Sequence, residues 1–155
     1  MDYTSKIISL EKALSLVKSG DTVVTGLGAA GAGLFMENIH SLLGKVRDVK
    51  IVNCNPTHAC DFYKAEYAET FAVDGWFFAP AMRKAHAQGN MAFIPNHLHL
   101  AATKRLCYRT PDIYVGIASM PDKHGYVSLS TSNTYEMKMI LKPPFEGFRV
   151  LLKRK

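Results

Sequence analysis

The sequence has 155 residues, 48% of them apolar, 10% aromatic and 21% charged, with a formal net charge of +6. That is ordinary globular usage for about one domain, and a chain of this size buries enough surface to need neither disulfide nor metal for a core. Collagen, coiled coil, disordered tail and disulfide miniprotein are excluded, and the longest run without charge or strong polarity, Gly26 to Met36, is well short of the roughly 18 residues of a membrane span.

The charge is concentrated near the end, where Lys142, Arg149, Lys153, Arg154 and Lys155 face one acid, Glu146. The body shows no basic stripe interleaved with stacking aromatics, so no nucleic-acid partner is expected. A mildly basic body suits an anionic small molecule. The start, Met1-Asp2-Tyr3-Thr4-Ser5-Lys6, lacks the basic-then-apolar order of a secretory leader. Cys54, Cys60 and Cys107, an odd set without framework spacing, fit a reducing cytoplasm.

In chain order, Ser9 caps a predicted helix carrying Leu10, Leu14 and Val17, with Gly20 as its stop. Asp21 to Thr25 is a β-branched run ending on glycines and predicts a strand. From Gly31, a helix places Leu34, Phe35, Ile39, Leu42 and Leu43 on one face and ends at Gly44. Val49 to Asn53 predicts a second strand, and a helix is expected from His58 to about Glu69. Thr70 to Phe78 reads as extended with a break at Gly75, Pro80 opens a short helix through Ala87, and Ala92 to Ile94 is a strand. A helix from Leu98 to Tyr108 aligns Leu98, Ala102 and Leu106, with Cys107 in the core. Ile113 to Ala118 and Tyr126 to Leu129 form a last strand pair, and a helix beginning at Tyr135 is broken by Pro143 and Pro144.

Apolar runs of four to six residues between helices imply an α/β fold, an open, mostly parallel sheet with helices on both faces. Such sheets hold ligands at the carboxyl ends of their strands. That rule selects the loops Gly26 to Gly31, Asn53 to Thr57, Pro80 to Arg83, Asn96-His97 and Pro121 to Tyr126.

Gly26-Leu27-Gly28-Ala29-Ala30-Gly31 is a literal G-x-G-x-x-G after a strand. A dinucleotide fold also wants an acid at the end of the next strand, where this chain has Asn53-Cys54-Asn55. A tight turn for close packing is a second reading. A loop that holds an anion or oxyanion on backbone N–H groups is favoured, because it needs no acid. Cys54, His58 and Cys60, and separately His97 and His99, lack zinc-ligand spacing, so no metal site is expected. No nucleophile elbow occurs, and Glu11, Glu37, Glu66, Glu69, Glu136 and Glu146 form no paired-carboxylate pattern.

Pro121-Asp122-Lys123-His124-Gly125-Tyr126, taken alone, is a charged turn. With Ser119 before it and Ser128-Leu129 after it, the stretch resembles the S-x-P-D-K-H-G-Y-x-S-L segment of the acetyl-CoA hydrolase/transferase family of family I CoA-transferases. Other motifs follow the family's order: Lys18-Ser19-Gly20-Asp21, Met82-Arg83-Lys84-Ala85 with Gly89, Ile94-Pro95-Asn96-His97-Leu98, and Asp112 before the apolar strand. The resemblance runs from about Leu10 to Ile140.

The resemblance implies the amino-terminal domain of an acyl-CoA transferase of the 4-hydroxybutyrate, succinate:acetate or acetyl-CoA hydrolase type. Coenzyme A is then a substrate rather than a covalently bound cofactor, and the partners are acyl-CoA and a small carboxylate. It further implies that Gly26, Gly28, Gly31, Asn53, Asn55, Thr57, Ala81, Arg83, Asn96 and His97 face the substrate cleft, and that Pro121 to Tyr126 lines a domain interface. The family's nucleophilic glutamate has no match here, so no catalytic residue is expected in these 155 residues. The domain is expected over 1–141, with 142–155 as a basic, proline-containing tail departing from the family. A bare cleft wall implies a homo-oligomer or a missing second domain. The alternative is a non-catalytic, anion-binding or oligomerising module of the same fold.

Overall fold

A computed structural model describes residues 4–101, 110–129, 131, 133–141 and 149–154. Its strands are β1 (Thr22–Thr25), β2 (Val49–Asn53), β3 (Phe71–Gly75), β4 (Met91–Phe93), β5 (Ile113–Ala118) and β6 (Arg149–Arg154). They form one six-stranded sheet in the order β4-β3-β2-β1-β5-β6. Every ladder is parallel, with Val23 opposite Ile51 on one side and Ile113 on the other. The expected mostly parallel sheet is therefore present, and its helices lie on both faces.

Alternation along the strands makes two cores. Val23, Ile51, Val73, Ile113 and Val115 point to one face, where they meet Leu14, Phe35, Ile39, Phe62 and Met82. Val24, Val52 and Tyr114 point to the other, against Trp76, Ala101, Tyr135 and the partly buried Ile140. The first face is covered by α1 (Leu10–Leu14), α2 (Gly33–Asn38), a 3-10 turn at Ile39–Leu42 and α3 (Pro80–Ala87). The second is covered in part by α4 (Glu136–Leu141). Lys50 and Asp74 also stand on this second face, by the same alternation, as an ion pair at 3.4 Å.

Local signals act as expected at most boundaries. Ser9 Oγ accepts the Lys12 N–H at 3.1 Å and caps α1, which stops at Leu14 although Val17 remains buried. Pro80 stands at the first turn of α3. The motif before β1 is structural: Asp21 Oδ2 accepts the Lys18 N–H at 2.8 Å, and Asp112 Oδ2 accepts the Thr22 N–H at 2.7 Å. Those carboxylates secure the amino edge of the sheet, opposite the loops selected above.

Four expectations need correction. The helix over 58–69 is two 3-10 turns, Asp61–Tyr63 and Ala65–Tyr67, separated by extended Lys64. That break lets Phe62, Tyr63 and Tyr67 all reach the core, where Phe62 and Tyr63 lie 4.4 Å apart and Tyr67 packs on Phe71. Leu34 and Leu43 are exposed rather than on the buried face: Leu34 is turned away beside buried Phe35, and Leu43 follows the 3-10 turn that replaces α2 after Asn38. Tyr126 to Leu129 is no strand: it returns beside Ser119 through the Ser119 N–H to Ser128 O and the Ser128 N–H to Ser119 Oγ, without a ladder. Leu98–Leu100, at the start of the expected helix, is a 3-10 turn, and its residues 102–108, with Cys107, fall outside the described residues. The basic segment also behaves differently from its composition, since Arg149–Arg154 joins the sheet beside β5.

Ile51 is fully buried in β2, between β1 and β3. Ile51→Ala is expected to lower stability by about 2–5 kcal/mol through lost transfer energy and a residual cavity. Urea unfolding checks this, with exposed Lys12→Ala as the near-neutral control.

Candidate active-site cleft

Because all strands run the same way, the chain leaves β1, β2, β3, β4 and β5 at one edge of the sheet. The exits of β1 and β2 are adjacent there and flank a shallow, open cleft. Its walls include Gly26, Gly28 and Gly31 from the first exit and Asn53 and Thr57 from the second. The structure thus brings these five predicted residues together.

The β1 exit turns sharply. A Cβ on Gly26 would overlap the Ala30 carbonyl, and Gly28 takes a positive φ of +53°. Asn55 also sits in the left-handed region, at φ +53°, and packs beside Gly28. The Gly28 N–H donates to Cys54 O at 2.9 Å, stitching the two exits together. The Gly26, Leu27, Ala30 and Gly31 N–H groups donate in turn to Val115 O, Glu136 Oε1, Leu27 O and Gly28 O. Most donors of the glycine turn are therefore committed inside the chain, which weighs against a backbone anion cradle and favours the close-packed turn.

Asn53 lies at the base of the cleft with its side chain engaged. Its Oδ1 accepts from Thr25 Oγ1 at 3.2 Å, and its Nδ2 donates to Tyr63 Oη at 2.6 Å. It shapes the floor rather than offering a free amide. Thr57 and His58 are exposed at the rim, and Met36 and Pro56 add apolar surface.

Pro56, within the expected Asn53 to Thr57 loop, also lines the cleft, as do Thr25, Gly33, Met36, His58 and Cys60, which the sequence did not point to. Thr25 adjoins the Gly26 to Gly31 loop. Met36 stands within α2, and the fold of the β2 exit carries His58 and Cys60 inward, against Gly33 in the case of His58. Ala81, Arg83, Asn96 and His97 follow β3 and β4 at the same edge but do not line this cleft. Arg83 is exposed on α3.

The Pro121–Tyr126 turn is self-contained. Asp122 Oδ1 accepts the His124 and Tyr126 N–H groups at 2.8 and 2.9 Å, and Gly125 takes φ +87°. This leaves Lys123, His124 and Tyr126 exposed. Phe77, Phe78, Phe93, Leu98, Met120 and Val127 are also exposed along this edge of the sheet.

Neither thiol near the cleft is poised as a nucleophile. Burial pushes the Cys54 thiol up to about 12, Tyr135 hydrogen bonding opposing and Glu136 reinforcing the shift. Burial does the same for Cys60, also to about 12, with Glu37 and Asp61 adding repulsion. Among the described residues no cluster of three or more His, Cys, Asp or Glu side chains is placed to hold a metal ion, and no helix is long and apolar enough to cross a membrane.

Comparison with known proteins matches residues 1–143 to the acetyl-CoA hydrolase/transferase N-terminal domain. The chain is 29% identical, over 143 residues, to a succinyl-CoA:cyclohexane-1-carboxylate CoA transferase of Geobacter metallireducens, a match covering 91% of this chain and 32% of that protein. In fold it resembles RipA from Yersinia pestis, with a TM-score of 0.85 and 19% identity over 98% of this chain and 37% of the other. It also resembles a 4-hydroxybutyrate CoA-transferase from Porphyromonas gingivalis, with a TM-score of 0.62 and 14% identity over 99% of this chain and 42% of the other. The chain spans about a third of the Geobacter relative's length.

Two outcomes test this site. With thiols held near 12, about 10⁻⁴ of each is thiolate at pH 8, so Cys54 and Cys60 resist iodoacetamide in the folded chain and react in urea, as peptide mass mapping will show. Gly26→Ala forces a side chain into the Ala30 carbonyl and is expected to cost about 1–3 kcal/mol, measured by urea unfolding.

Proposed function

This chain belongs to the acetyl-CoA hydrolase/transferase N-terminal domain family, and from that premise we propose that it is the amino-terminal part of an acyl-CoA:carboxylate CoA-transferase. The observation that carries the reading is the family match over residues 1–143. The likeness of 91% of the chain to one CoA transferase supports it.

In this reading the carboxyl edge of the sheet is one wall of the cleft where acyl group and coenzyme A meet. Gly26, Gly28 and Gly31 keep that wall free of side chains, Asn53 shapes its floor and Thr57 stands at its rim. The small, largely uncharged cleft suits a short acyl group better than a phosphate. Arg83, always charged and exposed on α3, is available to a carboxylate or phosphate approaching along the same edge. Asn55, Ala81, Asn96 and His97 flank the cleft. The free thiols Cys54 and Cys60 fit a cytoplasmic setting.

The covalent step belongs elsewhere. Acyl transfer through an enzyme carboxylate needs a positioned glutamate that attacks the thioester carbonyl and releases the CoA thiolate. Among the described residues, Glu37 is exposed, Glu136 is fully buried behind the β1 exit, and no glutamate lines the cleft. The nucleophile is assigned to the additional length that the relatives have. The apolar residues exposed along the carboxyl edge, Met120, Tyr126 and Val127 after β5 and Phe77, Phe78 and Phe93 at β3 and β4, support this edge as a surface covered by a second domain or another copy.

The chain alone is therefore expected to give no CoA transfer from acetyl-CoA to an isotopically labelled carboxylate. Acetyl-CoA should still shift the amide resonances of Gly26, Gly28, Asn53 and Thr57. Robust turnover abolished by changing one of the chain's glutamates, or ligand shifts confined to the amino edge of the sheet, would overturn the reading.

A further inference from the structure

Two neighbouring residues grip the exit of β1 from 110 and 109 positions further along the chain. Tyr135 Oη donates to Thr25 O at 2.5 Å, and Glu136 Oε1 accepts the Leu27 N–H at 2.8 Å. Between those contacts the Gly26 N–H is bound to Val115 O at 3.0 Å. Both side chains are 1% exposed. The second carboxylate oxygen, Oε2, accepts the Thr134 and Tyr135 N–H groups at 2.6 and 2.9 Å.

A carboxylate removed from water is costly unless hydrogen bonds replace its hydration. Here backbone donors meet both oxygens, so an acceptor-only group suits the position. A glutamine would turn an NH₂ group toward at least one of those N–H donors. The next residue of the turn, Gly28, binds Cys54 O and sets the separation of the two walls. Fixing Leu27 therefore fixes the register of the turn from which the cleft is built.

We propose that Glu136 is a positioning residue for the cleft: without touching its contents, the carboxylate holds the Leu27 N–H and so sets the path of the Gly26–Gly28 turn. Tyr135 secures the preceding carbonyl as the second half of the clamp. The inference rests on the reading of this cleft as the acyl-CoA wall. It adds a residue that belongs to no recognised motif of the sequence.

The test uses the full 155-residue chain as wild type, E136Q and Y135F, followed by amide NMR and hydrogen exchange, with acetyl-CoA as the probe. In E136Q the Leu27 amide resonance should move upfield and exchange about tenfold faster, as expected for a lost charge-assisted bond. Val23 and Val24 should keep their protection, and acetyl-CoA should bind about tenfold more weakly. Y135F should leave the Leu27 resonance in place. An unchanged Leu27 amide in E136Q, or protection lost equally through β1, β2 and β5, would overturn the proposal and leave Glu136 as an ordinary core group. If E136Q does not fold, E136D keeps the charge but withdraws it by one methylene. Leu27 must then show the same selective loss, and uniform loss overturns the proposal. Wild type that binds no acetyl-CoA would sink the functional reading, while the Leu27 amide still decides the clamp.

Discussion

The parallel pairing of β1 with β2 on one side and β5 on the other is the constraint on which the rest of the molecule depends. Strand order runs outward from β1 through β2 and β3 to β4, then crosses to β5 and β6. Since each ladder is parallel, each connection must return to the amino edge before the next strand begins, and the exits accumulate at the carboxyl edge. Glycine turns, the β2 exit, the start of α3 and the Asp122 turn share an edge for that reason.

The direction of the chain reverses its spread between β1 and β5, the position where open α/β sheets often leave a crevice. Here the chain fills it. Tyr135 inserts its hydroxyl at Thr25 O and packs its ring 5.4 Å from Trp76, while Glu136 closes on Leu27. The open cleft is displaced by one strand, to the exits of β1 and β2. Its shape is thus held from behind by a segment that meets β1 only through tertiary contact.

Three buried or half-buried polar side chains anchor the ends of β1 and the neighbouring β2 exit. Asn53 is fixed between Thr25 and Tyr63, Asp112 receives the first N–H of β1, and Glu136 receives the Leu27 N–H two residues past its end. These bonds replace hydration that burial removes, and they hold the backbone of the central strand at both ends. Lys50 and Asp74 pair across β2 and β3 on the sheet face that α4 covers in part. The cleft itself gains little charge from any of them.

The sequence alone determined the parallel sheet, because buried strands read as short, mostly apolar runs, as Val49–Asn53 and Ile113–Ala118 do, with helical signals such as Pro80–Ala87 between them. It also exposed the carboxyl-edge loops, since topology puts them there whatever their detailed shape. Gly26, Gly28, Gly31, Asn53 and Thr57 were legible as cleft residues on that ground. Tertiary structure decided the rest. Phe62, Tyr63 and Tyr67 overrode a regular helix because their rings gain more by burial than the backbone loses in two 3-10 turns. It also decided that the glycine turn spends its N–H groups inward, that His58 and Cys60 come to the cleft wall, and that Glu136 stands behind Leu27. Those contacts join residues up to 109 positions apart. Periodicity records only which face of its own element a residue occupies, so the partner across such a distance is fixed by packing alone.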